Sequence, residues 1–377
     1  MKVIIVGVGG AGSAAARFLA RMGHEVVAFE QFIVGHAQGS SHGESRIIRY
    51  TYPDEVYTHM MGEAYPLWQE LQEEAGEALL ARTGGVFFGD KNSPLLASAR
   101  AALEGNGVAH EILDAAEARH RFPALHLTGA EAALYQPDMG YLRASACVQA
   151  NVRMARALGA DIREQTTVSA VMQRGGEAVV TTGDGEEHAA DRVLVTAGPW
   201  MGRLLASLHL PLRVTHQQVV YLKPAPGAAQ DFEADRLPVW IDADANIYGF
   251  PADGCIAGVK LASHNLGDPV DPDNARRPPD AAYAGQMADY AAARFEGLTR
   301  QVTHAQACLY TNTPDEDFIV DAAPDMPHVW LVSGCSGHGF KFTVLLGKLA
   351  AEAAALGTAP PYLSRFALPR FAPGGGT

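Results

Sequence analysis

Six consecutive residues, Ser336-Gly337-His338-Gly339-Phe340-Lys341, combine types and spacing suited to holding negative charge. They follow an apolar strand, Val329 to Val332, and open an apolar, helix-like segment from Val344 to Ala354. Two glycines there leave backbone N–H groups uncovered at a helix N-terminus, where partial positive charge suits an anion. Lys341 adds a full charge. A second glycine loop, Gly7-Val8-Gly9-Gly10-Ala11-Gly12, matches G-x-G-x-x-G between a strand and a helix. In that pattern Gly7 permits the tight turn, Gly9 lets a pyrophosphate approach the backbone, and Gly12 lets helix and strand pack closely. Glu30, at the end of the next strand, is placed to accept from ribose hydroxyls. An anion-cradling loop at each end points to one long dinucleotide held at both of its ends. The loops alone leave NAD and FAD both open.

Other residues gain meaning only in company. Ser40-Ser41-His42-Gly43-Glu44-Ser45-Arg46-Ile47-Ile48-Arg49 gathers hydroxyls, a histidine and two arginines. Arg46 and Arg49, three apart, could share a face of a helical turn and point at one ligand; the plain alternative is a solvated loop with Ile47 and Ile48 packed inward. Lys260 ends an apolar strand, Ile256-Ala257-Gly258-Val259, where a lysine is ordinarily solvated. Cys308 alone reads as a small core residue. Tyr248 and His264 carry no signal in isolation.

These residues need elements to position them. Residues 3–30 read as a βαβ unit, with a strand Val3-Ile4-Ile5-Val6, a helix Ser13 to Met22 capped by Gly23, and a strand Glu25 to Glu30. A helix follows from about Glu55 to Glu74, with Pro66 predicted to kink it. Shorter helices are predicted from Pro94 to Leu103, with Ser93 as N-cap, from Ser145 to Leu158, and over 281–295. The run Arg192 to Gly198 reads as a buried strand ending in small residues, at a parallel sheet edge beside a ligand. Strands are predicted at Gly85 to Phe88, Gln218 to Leu222, Val239 to Asp242, Ile247 to Phe250 and Cys255 to Leu261, a loop over 266–280, and a frayed tail from Pro373 to Thr377. The fold class is therefore α/β (α+β): a Rossmann-like nucleotide-binding domain from 1–82, 141–214 and 303–377, and a mostly antiparallel β domain from 83–140 and 215–302.

Bulk properties narrow the partners. With 377 residues, 48% of them apolar, the chain can bury two cores. A net charge of −13 argues against nucleic acid or an anionic membrane surface. Against that background Arg46, Arg49, Lys260 and Lys341 form a cationic pocket suited to a small anion. Four scattered cysteines without metal-ligand spacing imply free thiols, no metal and a reducing compartment. Met1-Lys2 leads directly into a short strand, and no apolar run nears the roughly 20 residues that span a bilayer. The expectation is a cytoplasmic protein.

Taken together, these segments resemble the monomeric sarcosine oxidase and N-methyltryptophan oxidase family of flavoenzymes. The resemblance runs from about Val3 to Phe371. It rests on the first glycine loop, Ser41-His42-Gly43-Glu44-Ser45-Arg46-Ile47-Ile48-Arg49, Tyr248-Gly249-Phe250-Pro251, Ala307-Cys308-Leu309-Tyr310, Pro314-Asp315-Glu316-Asp317-Phe318-Ile319 and Ser336 to Phe342. It implies FAD rather than NAD, and a covalent bond from Cys308 to a methyl group of the flavin ring. It also implies that His42 and Arg46 sit against the ring, and that Arg49 and Lys341 clamp a substrate carboxylate. Lys260 becomes the site of oxygen activation, and Tyr248, His264 and Tyr310 line the substrate pocket. Gly337, Gly339 and neighbouring amides stabilise charge on the flavin pyrimidine, Ser40 and Ser41 belong to the cofactor loop, and Val168 contacts the adenine end.

The chain departs from the two named oxidases in places. Tyr50 stands where they have His, Ser45 replaces Thr, and Glu44 replaces Asp. Val239 to Asp242 diverges, and the turn Pro251 to Cys255 differs in length. These segments wall the pocket, so the substrate's side chain stays open. The implied activity is oxidation of an N-methyl or other secondary amino acid by a monomeric enzyme, with dioxygen reduced to hydrogen peroxide. The alternatives are a flavin-linked dehydrogenase of the same fold with another acceptor, and a flavin-binding protein without turnover.

Overall fold

The computed structural model describes residues 1–274, 279–357 and 359–372. The predicted tail from Pro373 and part of the 266–280 loop lie outside the described residues.

A six-stranded sheet carries the glycine loops. Its order is Ile319–Ala323, Met326–Ser333, Arg192–Val195, Lys2–Val6, Glu25–Phe29 and Asp161–Arg163. All neighbours are parallel except Ile319–Ala323, which runs antiparallel to Met326–Ser333. Val3, Ile4 and Ile5 are fully buried, as expected of a strand covered on both faces. One cover is the helix Gly10–Arg21, against which the helix Thr343–Leu356 packs. Their approach is close because Gly347 lacks a side chain: a Cβ there would lie 2.6 Å from the Ala11 carbonyl oxygen.

An eight-stranded sheet forms the second layer. In order it contains Leu298–Asn312, Arg213–Pro224, Val259–Ser263, Ile247–Gly249, Val239–Asp242, Gly85–Asp90, Glu131–Gln136 and Glu111–Leu113. Only the pair Val239–Asp242 with Gly85–Asp90 is parallel. Leu298–Asn312 pairs with Arg213–Pro224 from Arg213 opposite Asn312 to Pro224 opposite Leu298. The C-terminal end of that strand meets Ser40 and Ser336, which brings Cys308 and Tyr310 beside the glycine loops.

Some expectations change. The first helix begins at Gly10, not Ser13, because the glycine turn already supplies its first turn. The run Arg192–Val195 lies inside the sheet, between Lys2–Val6 and Met326–Ser333, rather than at an edge. Arg46–Ile48 is a short strand paired with Gly140–Leu142, so Arg46 and Arg49 do not share a face of a helical turn. Lys260 is the second residue of the strand Val259–Ser263 rather than the end of a strand through Ile256 to Val259. The helix Glu55–Ala75 runs unbroken through Pro66, from its Asp54 cap, which accepts from the Val56 N–H, to left-handed Gly76. Ser93 caps Pro94–Gly105 as expected. Among the described residues no single helix is long and apolar enough to cross a membrane.

Gly12 shows why the turn is glycine. A Cβ there would sit 2.0 Å from the Gly7 carbonyl oxygen and 2.4 Å from Thr196 Oγ1. Gly12→Ala is therefore expected to lose at least ~1–3 kcal/mol of stability through overpacking and to purify without bound flavin. Urea unfolding and the visible spectrum check both effects.

Candidate active site

The two glycine loops open into one cleft of about 460 Å³. Gly7, Gly9, Glu30, Val168, Gly337 and Gly339 all line it, together with Ser40, Ser41, Arg46, Cys308 and Tyr310. Gly12 acts from beneath, through the close packing just described.

At the first loop, the Val8 N–H donates to Glu30 Oε2 at 2.9 Å and the Phe32 N–H to Oε1 at 3.0 Å, so the carboxylate is fixed before any ligand arrives. The Gly10 N–H donates to Ser41 Oγ at 3.0 Å, and the Ser40 hydroxyl to the Leu309 carbonyl at 2.6 Å. This ties the 40–45 loop to the strand bearing Cys308. Arg46 holds the same loop from within, donating to the carbonyls of Ser45, Ser40 and His42 at 2.9, 3.2 and 2.6 Å.

The second loop differs from its predicted form. The helix starts at Thr343, next to the expected Val344, after a tight turn Phe340–Phe342, but the His338 and Gly339 N–H groups both donate to the Cys335 carbonyl at 3.0 Å. They are not free for an anion. Among the described residues, the Gly337 N–H makes no such bond. Gly337 has φ +75°, and a Cβ on it would meet the Tyr310 ring at 2.2 Å, so the backbone lies directly against that ring. Ser336 adopts a left-handed φ of 43°, a conformation costly for a non-glycine residue. Its hydroxyl oxygen accepts from the Thr313 N–H at 3.2 Å, which helps hold it there.

Lys260 is buried and points into this region, donating to Ser45 O at 2.9 Å and Ser45 Oγ at 3.1 Å. Its ammonium lies 4.6 Å from the centre of the Phe250 ring. Burial first, and the nearby Arg46 second, press its pKa down to about 7. Burial and Arg46 likewise push His42 down to about 4, so its imidazole is neutral. His42 Nδ1 lies 3.2 Å from Gln306 Nε2, and its buried Nε2 has no partner among the described residues. Cys308 is a free thiol whose pKa burial raises, while Arg46 and Lys260 oppose that shift and favour the thiolate.

The lowered Lys260 pKa has a stability consequence. Unfolded, Lys260 keeps its proton to its ordinary 10.5; folded, it releases it near 7. Between those values the unfolded chain holds more protons, so this residue's contribution to stability rises with pH. Lys260→Met removes the dependence. In flavin-free protein, the stability of the variant relative to the parent is expected to be most favourable near pH 7 and to decline toward pH 10. Urea midpoints across that range test it; a constant difference contradicts a desolvated lysine.

Beyond Tyr310 lies a second group of side chains. Tyr248 Oη is 3.4 Å from Tyr310 Oη, and the His264 ring centre is 5.6 Å from that of Tyr310. Burial and then Arg49 lower His264 to about 4. Lys341, buried, donates to Tyr52 Oη at 2.9 Å and to the His338 carbonyl at 2.5 Å. The Arg49 guanidinium lies 4.3 Å over the Tyr52 ring and donates to Thr51 O at 2.7 Å. Burial, and then Arg49, hold Lys341 well below the usual lysine range. Among the described residues neither cation has a carboxylate partner. Two unneutralised cations flanking one tyrosine form an incomplete anion site.

Tyr52, His338 as a side chain, and Gln306 are contacts that the sequence reading missed. Tyr52 lies three residues past Arg49, but spacing alone does not show that its hydroxyl meets a lysine far away in sequence. Ser45, noted only as a departure, proves to be the anchor of Lys260.

Residues 2–353 match the family model "FAD dependent oxidoreductase", and the chain belongs to that family. Its fold and cleft define a flavin-dependent oxidoreductase. Within that class the chain is similar to peroxisomal sarcosine oxidase of Mus musculus, at 34% identity over 98% of this chain and 95% of that protein. It is also 32% identical to N-methyl-L-tryptophan oxidase of Yersinia pestis, covering 98% of this chain and 99% of that one. In fold it matches NikD, described as an unusual amino acid oxidase essential for nikkomycin biosynthesis, with a TM-score of 0.83 and 24% identity over 97% of this chain and 96% of that chain.

Proposed function

We propose that the protein oxidises the C–N bond of an N-methyl or other secondary amino acid to an imine, with dioxygen reduced to hydrogen peroxide. The observation that carries this reading is the pair of Arg49, partly buried, and Lys341, buried, both against Tyr52 and without a carboxylate partner among the described residues. A carboxylate is the ligand that such a pair completes.

The cleft suits FAD: the glycine approach at Gly7 and Gly9, the fixed Glu30 carboxylate and the ring end at Gly337 are compatible with a dinucleotide. Bound there, FAD supplies an acceptor for the hydride leaving the carbon beside nitrogen, and dioxygen takes up the electrons in turn. The chain's own residues do the rest. Arg49 and Lys341 hold the substrate carboxylate, and their charge favours the neutral amine that the oxidation requires. Tyr248, Tyr310 and His264 pack around the substrate and exclude water, which strengthens those interactions. Arg46 and His42 shape the loop at the ring, and Lys260, next to Ser45, is the group we assign to oxygen activation. The released imine hydrolyses in water; an N-methyl amino acid then yields formaldehyde and the demethylated amino acid.

We take residues 1–82, 141–214 and 303–377 as the FAD-binding part, and 83–140 and 215–302 as the substrate-binding part, in a cytoplasmic monomer with no nucleic-acid or membrane partner. Cys308, a free thiol on the cleft wall with Arg46 and Lys260 favouring its thiolate, is the residue we assign to the covalent flavin bond. Acid precipitation is expected to leave flavin in the pellet for the parent protein and to release it from Cys308→Ala. Flavin that stays attached in the variant contradicts the assignment.

The deciding experiment is an oxygen-consumption screen over secondary amino acids, with peroxide followed by a peroxidase-coupled dye. Anaerobic bleaching of the flavin without peroxide in air points instead to a dehydrogenase. No bleaching by any amino acid defeats the reading as a whole.

A further inference from the structure

We infer that Tyr52 and His338 are positioning residues that aim Lys341 at the substrate carboxylate through a chain of hydrogen bonds with one allowed direction. The inference rests on the proposed role of Lys341 as a carboxylate holder and deepens it.

The direction follows from which atoms can donate. His338 Nε2 lies 3.0 Å from the Glu316 carbonyl, which only accepts, so Nε2 carries the hydrogen. Burial, followed by the nearby Lys341, keeps this histidine neutral, so Nδ1 is bare. The Tyr52 hydroxyl, 3.3 Å away, must then donate to Nδ1, which leaves its oxygen to accept from Lys341 at 2.9 Å. Lys341 has three N–H donors. Tyr52 takes one and the His338 carbonyl a second, at 2.5 Å. One donor remains, and its direction is set by the other two.

The anchor is rigid at its far end. The His338 ring stacks on Phe318 at 4.9 Å and meets Tyr57 edge-on at 5.2 Å, and the Tyr57 hydroxyl donates to Asp317 at 2.7 Å. Glu316, whose carbonyl begins the chain, is itself in a left-handed conformation with φ 61°. The same Tyr52 ring carries the Arg49 guanidinium on its face, so one side chain sets the position of both cations.

Tyr52→Phe keeps the ring, its packing and the contact with Arg49, and removes only the hydroxyl. The test uses the flavin-loaded enzyme and propionate as a bare carboxylate probe, with Kd measured by calorimetry. Loss of one charge-assisted bond is expected to weaken propionate at least about tenfold. For an oxidised amino acid, KM should rise by a similar factor while kcat changes less than about threefold. His338→Leu should reproduce the loss, and His338→Asn, whose Oδ1 can accept where Nδ1 did, should restore most of it. Unchanged or tighter propionate binding in Tyr52→Phe overturns the inference, as does equal behaviour of the Leu and Asn variants. If the parent enzyme oxidises no secondary amino acid, the functional reading fails on that result alone. If propionate binds Lys341→Met no more weakly than the parent, the role of Lys341 fails, and the inference with it.

Discussion

Replacing Lys341 by Met is expected to lower kcat/KM for the amino-acid substrate by about 30-fold to several thousand-fold, from the ~2–5 kcal/mol lost when one member of a buried charged contact is removed. The folded protein is expected to be no less stable, and this makes the prediction specific. Lys341 is buried, without a carboxylate partner among the described residues, and its pKa is driven down by desolvation. An apolar side chain of similar length removes that desolvation penalty. Against this stand the two bonds to Tyr52 and the His338 carbonyl. Tyr52 keeps a partner in His338 Nδ1, so the loss is partial. Steady-state kinetics and thermal melting of the same preparations decide the matter. A variant that loses stability and activity together shows Lys341 to be structural.

Lys260→Met is expected to slow reaction with dioxygen by about 10²–10³-fold, the scale seen when one preorganised electrostatic group is removed. Reduction by substrate under anaerobic conditions should change less than tenfold. The reason is placement: Lys260 projects from the strand Val259–Ser263 toward Ser45, in the loop held by Arg46, while the proposed carboxylate holders lie with Tyr52. Stopped-flow measurement of the two half-reactions separates them. Equal slowing of both would falsify a role confined to oxygen.

Much of the nucleotide end was legible because its physics is local. A strand, three glycines, a helix and an acid lie within the first thirty residues, and Gly12 answers a steric demand in that same segment, against Gly7, while Gly7 and Gly9 face Thr196 and Ser41. Local rules misled where pairing partners are distant. Arg46 and Arg49 look like helix neighbours by spacing, yet Gly140–Leu142 draws Arg46–Ile48 into a strand. The amides of His338 and Gly339 look free, yet the chain turns back so that Cys335 occupies them. Lys260 looks solvated at a strand end, yet the eight-stranded sheet buries it mid-strand against Ser45.

By itself, then, the sequence determined that a dinucleotide-binding turn opens the chain, that anion-binding groups gather in four separate segments, and that their order resembles one flavoenzyme family. The tertiary structure alone decided that Arg49, Tyr52, His338 and Lys341 form one device, and that Tyr310 both lines the cofactor cleft and meets Tyr248 and His264. The physical reason is range. Turn geometry and steric demand act over a few residues and leave a mark in local sequence. A hydrogen bond between residues 289 positions apart, as between Lys341 and Tyr52, leaves none until two layers are packed together.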